Sequence, residues 1–213
     1  SEHQQPLIIG ILNVTPDSFT DGGKFLDHNT AVNHAMDMID NGADIIDIGG
    51  ESTRPFSEPV SEEEELSRVI SVIQKIREKT DVVISIDTTK SVVAEKACDA
   101  GANIINDISA LSFDGYMIDI VNKYDCPIIL MHMIGNPKTM QKSPSYSNII
   151  PEITDHLLSR ANFALSNGVK KHNIILDPGI GFGKTVDDNF TIINNMDKFT
   201  KLGYPVLIGA SRK

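Results

Sequence analysis

The sequence predicts a parallel α/β protein, a (β/α)8 TIM barrel of which this 213-residue chain supplies seven strands and six connecting helices. Three observations carry this expectation. Seven short runs of Ile, Leu and Val recur, each nearly continuous rather than alternating, as in strands covered on both faces. Helical segments separate them, and strand alternating with helix builds a parallel sheet. The apolar runs end in Asn13, Asp47, Asp87, Asn106, His132, Asp177 and Ser211. Turn statistics explain any one of these residues equally well. All seven together suit a ring of strands feeding one central site, whereas an open sheet needs polar ends only at its switch point.

The elements follow in order. Strands are expected over residues 7–13, 43–50, 82–88, 103–109, 127–133, 173–179 and 205–213. Helices are expected over 29–41, 61–79, 90–100, 114–123, 151–167 and 187–201. The first has Ala31, Val32, Ala35, Met36 and Ile39 at helical spacing. The second opens on SEEEE, a capping box with Ser61 at the N-cap and Glu64 three residues on, its acidic run read as a solvated first turn. Gly42, Gly101 and Gly168 sit where C-caps belong. GADIID and GANIIN are near-copies, the trace of a repeating αβ unit.

Composition narrows the function. A net charge of -10 makes a poor general binder of nucleic acid. No apolar run approaches the ~20 residues of a membrane span. SEHQQPLIIG has no basic region before its apolar stretch, so no leader is expected. Cys98 and Cys126 form no C-x-x-C and are expected to be reduced, in a cytoplasmic protein.

Three loops carry the candidate chemistry. NVTPDSFTDGG, residues 13–23, is long and rich in turn formers, as a lid or substrate loop is. GGESTRPFSEP, residues 49–59, frames Arg54 with glycine and proline and suits an anion ligand. LDPGIGFGKT, residues 176–185, looks like a phosphate loop, but Pro178 stands where the first glycine of G-x-x-x-x-G-K-[ST] belongs. Lys184 likewise replaces the last glycine of G-x-G-x-x-G. Lys184 is therefore expected to be a surface charge, or one lying behind the site, rather than a phosphate lysine.

ILNVTPDSFTDGG, DIGGESTRP, SIDT, INDIS, LMHM, LDPGIGFGK and IGASRK occur in that order over residues 7–213, and with them the chain resembles the dihydropteroate synthase family, the target of sulfonamides. Pterin- and folate-dependent methyltransferase domains share the barrel but lack the TPDSF loop and the SRK ending. They are the rival enzyme reading, and an inactive pterin-binding fragment is the rival non-enzyme one. The resemblance implies condensation of 6-hydroxymethyl-7,8-dihydropterin diphosphate with p-aminobenzoate through a pterin cation.

By matching motif positions, Asp87, Asn106 and Asp177 read the pterin's N–H edge, with Asp177 bidentate. Lys213 donates to its carbonyl and ring nitrogen, Gly209 borders it, and Met131 and Phe182 pack on the ring faces. Asn13 matches the Mg²⁺ contact. Thr53 and Arg54 lie near the diphosphate and the p-aminobenzoate carboxylate. Asp21 faces the developing cation, Phe19 and Pro55 close over the aminobenzoate ring, and Ser211 sits at its carboxylate. Asp21, Arg54 and Lys213 are the implied catalytic residues. Family members are homodimers. They continue past SRK with a helix, an eighth strand bearing an Arg and a His at the diphosphate, and a last helix. The chain is therefore expected to be one pterin-binding barrel domain over 1–213, truncated at its C-terminus. Alone, it is expected to be poorly soluble and nearly inactive for want of barrel closure.

Overall fold

The computed structural model describes residues 5–15, 28–52, 59–135, 140 and 145–210. Two compact units emerge. The first takes in the chain up to Ser52 together with Pro59–Thr88 and Val92–Ile104, and the second is built mainly from Ile105 onward.

In the first unit β1 (Ile9–Asn13), β2 (Ile45–Gly49) and β3 (Val83–Asp87) pair in parallel, in sequence order. They alternate with α1 (His28–Asp40), α2 (Glu62–Arg77) and α3 (Ser91–Ala100). Strand side chains alternate between faces. One face carries Leu12, Ile46, Ile48, Ile84 and Ile86, all fully buried. Helix α1 packs on β1 and β2, and α2 on β2. Gly10 shares this face because a Cβ there would lie 2.8 Å from the sulfur of Met38 on α1. The opposite face is layered by the register: Ile9, Ile45 and Val83; then Ile11, Asp47 and Ser85; then Asn13, Gly49 and Asp87. Asp47 thus lies one layer below the strand end, and Gly49 holds the terminal place, contrary to the expectation for β2. A near-continuous apolar run does not reveal which of its residues face which way.

Ser61 caps α2 as expected, its Oγ accepting from the Glu64 N–H at 3.2 Å. The acidic turn is only partly solvated. Glu62, Glu63 and Glu64 are exposed, but Glu65 is 1% exposed and packs where a Cβ on Gly50 would come within 3.0 Å of it. Arg68, also buried, pairs with Glu64 and donates to the Gly50 carbonyl at 2.5 Å. Arg77 closes the far end of α2. Its guanidinium donates to the carbonyls of Thr80, Val82 and Gly101 and to Asn103 Oδ1, at 2.8–3.2 Å. Gly42, Gly101 and Gly168 end their helices with φ of 98°, 114° and 95°, the left-handed caps that glycine adopts without steric cost.

In the second unit β4 (Ile104–Asp107), β5 (Ile128–Met131) and β6 (Ile174–Asp177) pair in parallel, again in order. Between and after them come α4 (Met117–Tyr124), α5 (Ile149–Ser166), α6 (Val186–Asn194) and α7 (Met196–Thr200). Helix α5 covers β5 and β6. It starts before Pro151, which falls in the first turn, where the missing N–H has no intrahelical role. The helix expected over 187–201 is broken at Asn195 into α6 and α7. The seventh strand is reduced, among the described residues, to one parallel bridge between Leu176 and Val206. Leu176 donates to Pro205 O at 2.9 Å and accepts from Leu207 at 2.8 Å. The ladder cannot extend backward, because the next rung needs the N–H that Pro205 lacks.

Cys98 and Cys126 are not disulfide-bonded. Among the described residues no helix is long and apolar enough to cross a membrane.

Arg77→Met removes the donor of four hydrogen bonds while keeping the apolar stem. It is expected to lower stability by about 2 kcal/mol, read as a lower urea midpoint at unchanged m-value, with pterin affinity unaltered. An unchanged midpoint would show that water replaces the guanidinium at no cost.

Candidate active site

Two of the expected site residues meet in the first unit. Asn13 and Asp87 end β1 and β3 on the same row, with Gly49 between them. Because Gly49 has no side chain, a recess lies there: a Cβ would come 3.5 Å from Asp87 Oδ2 and 3.8 Å from Asn13 Oδ1. The Gly49 carbonyl is taken by the Val14 N–H at 2.7 Å. An exposed amide oxygen and a half-buried carboxylate thus flank a backbone-only gap. Amide and carboxylate oxygens are hard donors, suited to Mg²⁺ with its retained waters. Among the described residues no three His, Cys, Asp or Glu side chains cluster to hold a metal on their own.

The second unit brings four more together. Met131 and Asp177 are register partners at the ends of β5 and β6, and Asn106 lies on the same face one layer down, beside Ile129 and Ile175. Asp177 is 7% exposed, and its Oδ1 accepts from the Gly179 N–H at 2.7 Å. The Asp177 carbonyl accepts from the His132 N–H at 2.9 Å. Met131 packs with Ile108, Met133 and Met140, and Phe182 closes on this cluster. Met131 and Phe182, the two side chains expected at the ring faces, thus share one apolar cluster.

The glycine loop that joins them is a tight turn. Gly179, Gly181 and Gly183 all have positive φ. At Gly179 the demand is absolute, since a Cβ would stand 2.0 Å from the His132 carbonyl oxygen. Thr185 then caps α6, exchanging bonds with Asp188 in a capping box. The Lys and Thr that imitate a phosphate loop are thus a buried tie and a helix cap.

Lys184 is not a surface charge: it is 4% exposed. Its ammonium donates to Phe182 O at 2.8 Å, His132 Nδ1 at 3.1 Å and His132 O at 3.2 Å. An ammonium only donates, so Nδ1 accepts and His132 carries its proton on Nε2. Burial, then the charges of Lys184 and His156, push His132 down to about 2, which keeps it neutral. His156 stacks edge-on against it at 4.9 Å and is lowered as well, by burial and then by Arg160 and Lys184. Tyr146 donates to Gly183 O at 2.8 Å, with burial raising its phenol.

Sequence reasoning missed Asp107. It faces away from Asn106 and organises the loop after β4. Its carboxylate accepts from Ser109 N–H, Ser109 Oγ and Leu111 N–H at 2.7–2.8 Å. Burial pushes its carboxyl up, against those bonds and the attraction of Arg160. Arg160 donates to the carbonyls of Ala110 and Leu111, and both residues are held left-handed, at φ 51° and 65°. The Asp-x-Ser spacing, a known local turn pattern, was the available signal. Gly209 is half-buried, and a Cβ there would meet nothing within 4 Å. Phe19, Asp21, Thr53, Arg54, Pro55, Ser211 and Lys213 lie outside the described residues.

The profile of the family described as pterin binding enzyme matches residues 9–213. The chain is 52% identical over 210 residues to a dihydropteroate synthase of Clostridium beijerinckii, covering 99% of this chain and 76% of the relative. Its fold is similar to that of the Yersinia pestis dihydropteroate synthase solved with a sulfonamide drug complex, with a TM-score of 0.92 and 42% identity. That likeness covers 98% of this chain and 75% of the other. The Xanthomonas albilineans dihydropteroate synthase in complex with 7,8-dihydropteroate is similar at a TM-score of 0.87 and 39% identity, covering 98% and 74%.

The buried neutral His132 sets a direction for acid stability. Its folded pKa lies below the ordinary value of 6.5, so between about 2 and 6.5 the unfolded chain binds a proton that the folded one does not. Stability is therefore expected to fall as the pH drops below 6.5, by up to ~1.4 kcal/mol per pH unit from this group. His132→Asn keeps an acceptor for Lys184 and removes the titration. It should flatten the slope of unfolding free energy between pH 6.5 and 4.5; an unaltered slope would refute the assignment.

Proposed function

The chain belongs to the pterin binding enzyme family and, within it, to the dihydropteroate synthases, and we propose that it condenses 6-hydroxymethyl-7,8-dihydropterin diphosphate with p-aminobenzoate to give 7,8-dihydropteroate and diphosphate. The observation that carries this reading is the pairing of Asp177 with Met131 at the ends of β6 and β5, with Phe182 on the same apolar cluster. A flat ring with an edge of N–H donors needs a carboxylate at its edge and apolar walls on its faces.

Asp177 is well suited to the edge. Gly179 orients it through one oxygen. Carboxylate oxygens accept more than one bond each, and a carboxylate at the ring's edge suits two parallel N–H donors. Asn106, one layer down on the same face, can reach the same heterocycle from below. The assignment of Asp87 to this edge rests on its motif alone. Met131 and Phe182 hold the ring faces and exclude water.

In the reaction the bond between the pterin methylene and the diphosphate oxygen breaks, and the electron pair leaves with diphosphate. The aniline nitrogen of p-aminobenzoate then bonds to the methylene carbon and loses a proton. The exposed amide oxygen of Asn13, beside the Gly49 recess, fits a site for Mg²⁺, which when bound neutralises the departing diphosphate. The family motifs further give Asp21 the developing cation, Arg54 and Thr53 the anionic groups, Phe19 and Pro55 the aminobenzoate ring, Ser211 its carboxylate, and Lys213 and Gly209 the pterin. Sulfonamides resemble p-aminobenzoate in shape and would compete for its place. A homodimer located in the cytoplasm completes the proposal.

The test is formation of dihydropteroate from the two substrates by the protein with Mg²⁺. Product is expected, and excess EDTA should abolish it; turnover that persists in EDTA would remove the metal from Asn13. Asp177→Asn turns one acceptor into a donor facing a donor. An unmade charged hydrogen bond costs on the order of 1–3 kcal/mol. Pterin affinity should therefore fall at least about tenfold, and unchanged affinity would overturn the role of Asp177.

A further inference from the structure

Lys184 does nothing in the reaction just described, yet it is one of the most deeply buried charges in the second unit. Its three N–H groups reach two places in the chain. One is Phe182 O, the backbone of the residue that closes the apolar wall; the other is His132, through both Nδ1 and the carbonyl oxygen. His132 directly follows Met131, the other wall, at the end of β5. The same His132 is tied from its N–H to the Asp177 carbonyl at 2.9 Å, and its carbonyl oxygen is the atom against which Gly179 must pack. One ammonium therefore grips the backbone beside each of the two walls, and the residue that reads the pterin edge hangs from the same knot.

We propose that Lys184 is a positioning residue for the pterin slot, setting the spacing between Met131 and Phe182 by holding the His132 and Phe182 carbonyls to one point. This rests on the reading of those two side chains as the ring walls, and deepens it. Two backbone carbonyls brought to one place repel each other through their dipoles, and the ammonium removes that repulsion. Without it the Phe182 peptide is free to rotate, and the ring of Phe182 loses its seat on Met131, Met133 and Met140. His132 would also lose the donor that selects its Nε2–H tautomer, which gives the arrangement a spectroscopic mark that substrate affinity alone lacks.

The experiment is a double-mutant cycle of Lys184→Met with Phe182→Ala on the protein. Binding of the pterin diphosphate is measured by calorimetry, and nitrogen NMR on histidine-labelled protein reports the His132 tautomer. Lys184→Met should weaken pterin binding by about tenfold, the scale of one lost charged hydrogen bond. Phe182→Ala should weaken it too. If Lys184 acts through the wall, the double variant binds no more weakly than Phe182→Ala alone. The His132 Nδ1 resonance should shift in Lys184→Met and stay in place in Phe182→Ala. Lys184→Gln, which keeps two donors, should fall between wild type and Lys184→Met, and it carries the cycle if Lys184→Met does not fold. Multiplying effects in the double variant, or wild-type affinity in Lys184→Met, would overturn the proposal while leaving Phe182 as a wall. If Phe182→Ala left affinity unchanged, the wall reading would fall and this inference with it.

Discussion

The contact on which the candidate site depends is the approach of Gly179 to the carbonyl oxygen of His132. No side chain of any size fits there, since even a Cβ would stand 2.0 Å from that oxygen. Because the two backbones touch, the turn after β6 lies directly on the end of β5. Asp177 is oriented by the same glycine's N–H, and Phe182 is delivered three residues later onto the methionine cluster. The buried ammonium of Lys184 is then placed where it can serve both segments.

A second constraint is the register of the first unit. Parallel pairing in phase sets residues two apart in layers, so what each strand shows at its end follows from one alignment. Asn13 and Asp87 face the same space only because β2 contributes Gly49 between them. The glycine leaves room beside two oxygen-bearing side chains, and the polar layer beneath it, Asp47 and Ser85, is buried. Ser85 Oγ has no hydrogen-bond partner among the described residues.

Much of this was legible in the sequence, for identifiable reasons. Six strands and their helices were readable because long Ile-rich runs and glycine-ended helices are local signals. The phase of a strand was not, which is why Asp47 was misplaced by one layer. Among the described residues the seventh strand is cut to one bridge for a reason local to Pro205 but meaningful only beside Leu176, whose ladder needs the missing N–H. Glu65 was expected to be solvated, and for Lys184 the surface and a place behind the site both stayed open, because a charged residue carries no mark of the partners that bury it. Asp177, Met131 and Phe182 were reached through their motifs, and the structure supplies what motifs lack: a shared row, a shared cluster and a common tie. The roles given to Phe19, Asp21, Arg54 and Lys213 rest on resemblance, since those residues lie outside the described ones.

The loop over Gly179–Thr185 also carries a lesson about polarity. A phosphate-binding loop of similar lettering turns its amide hydrogens inward, making a concave positive surface for an anion. Here the carbonyl oxygens of His132 and Phe182 turn toward a lysine that lies within the protein. The dipoles point the other way, and the cation is internal. Such a loop solvates its own charge. Two loops spelled almost alike can therefore be electrostatic opposites, and the letter that separates them is Pro178, whose missing amide closes the anion's first berth.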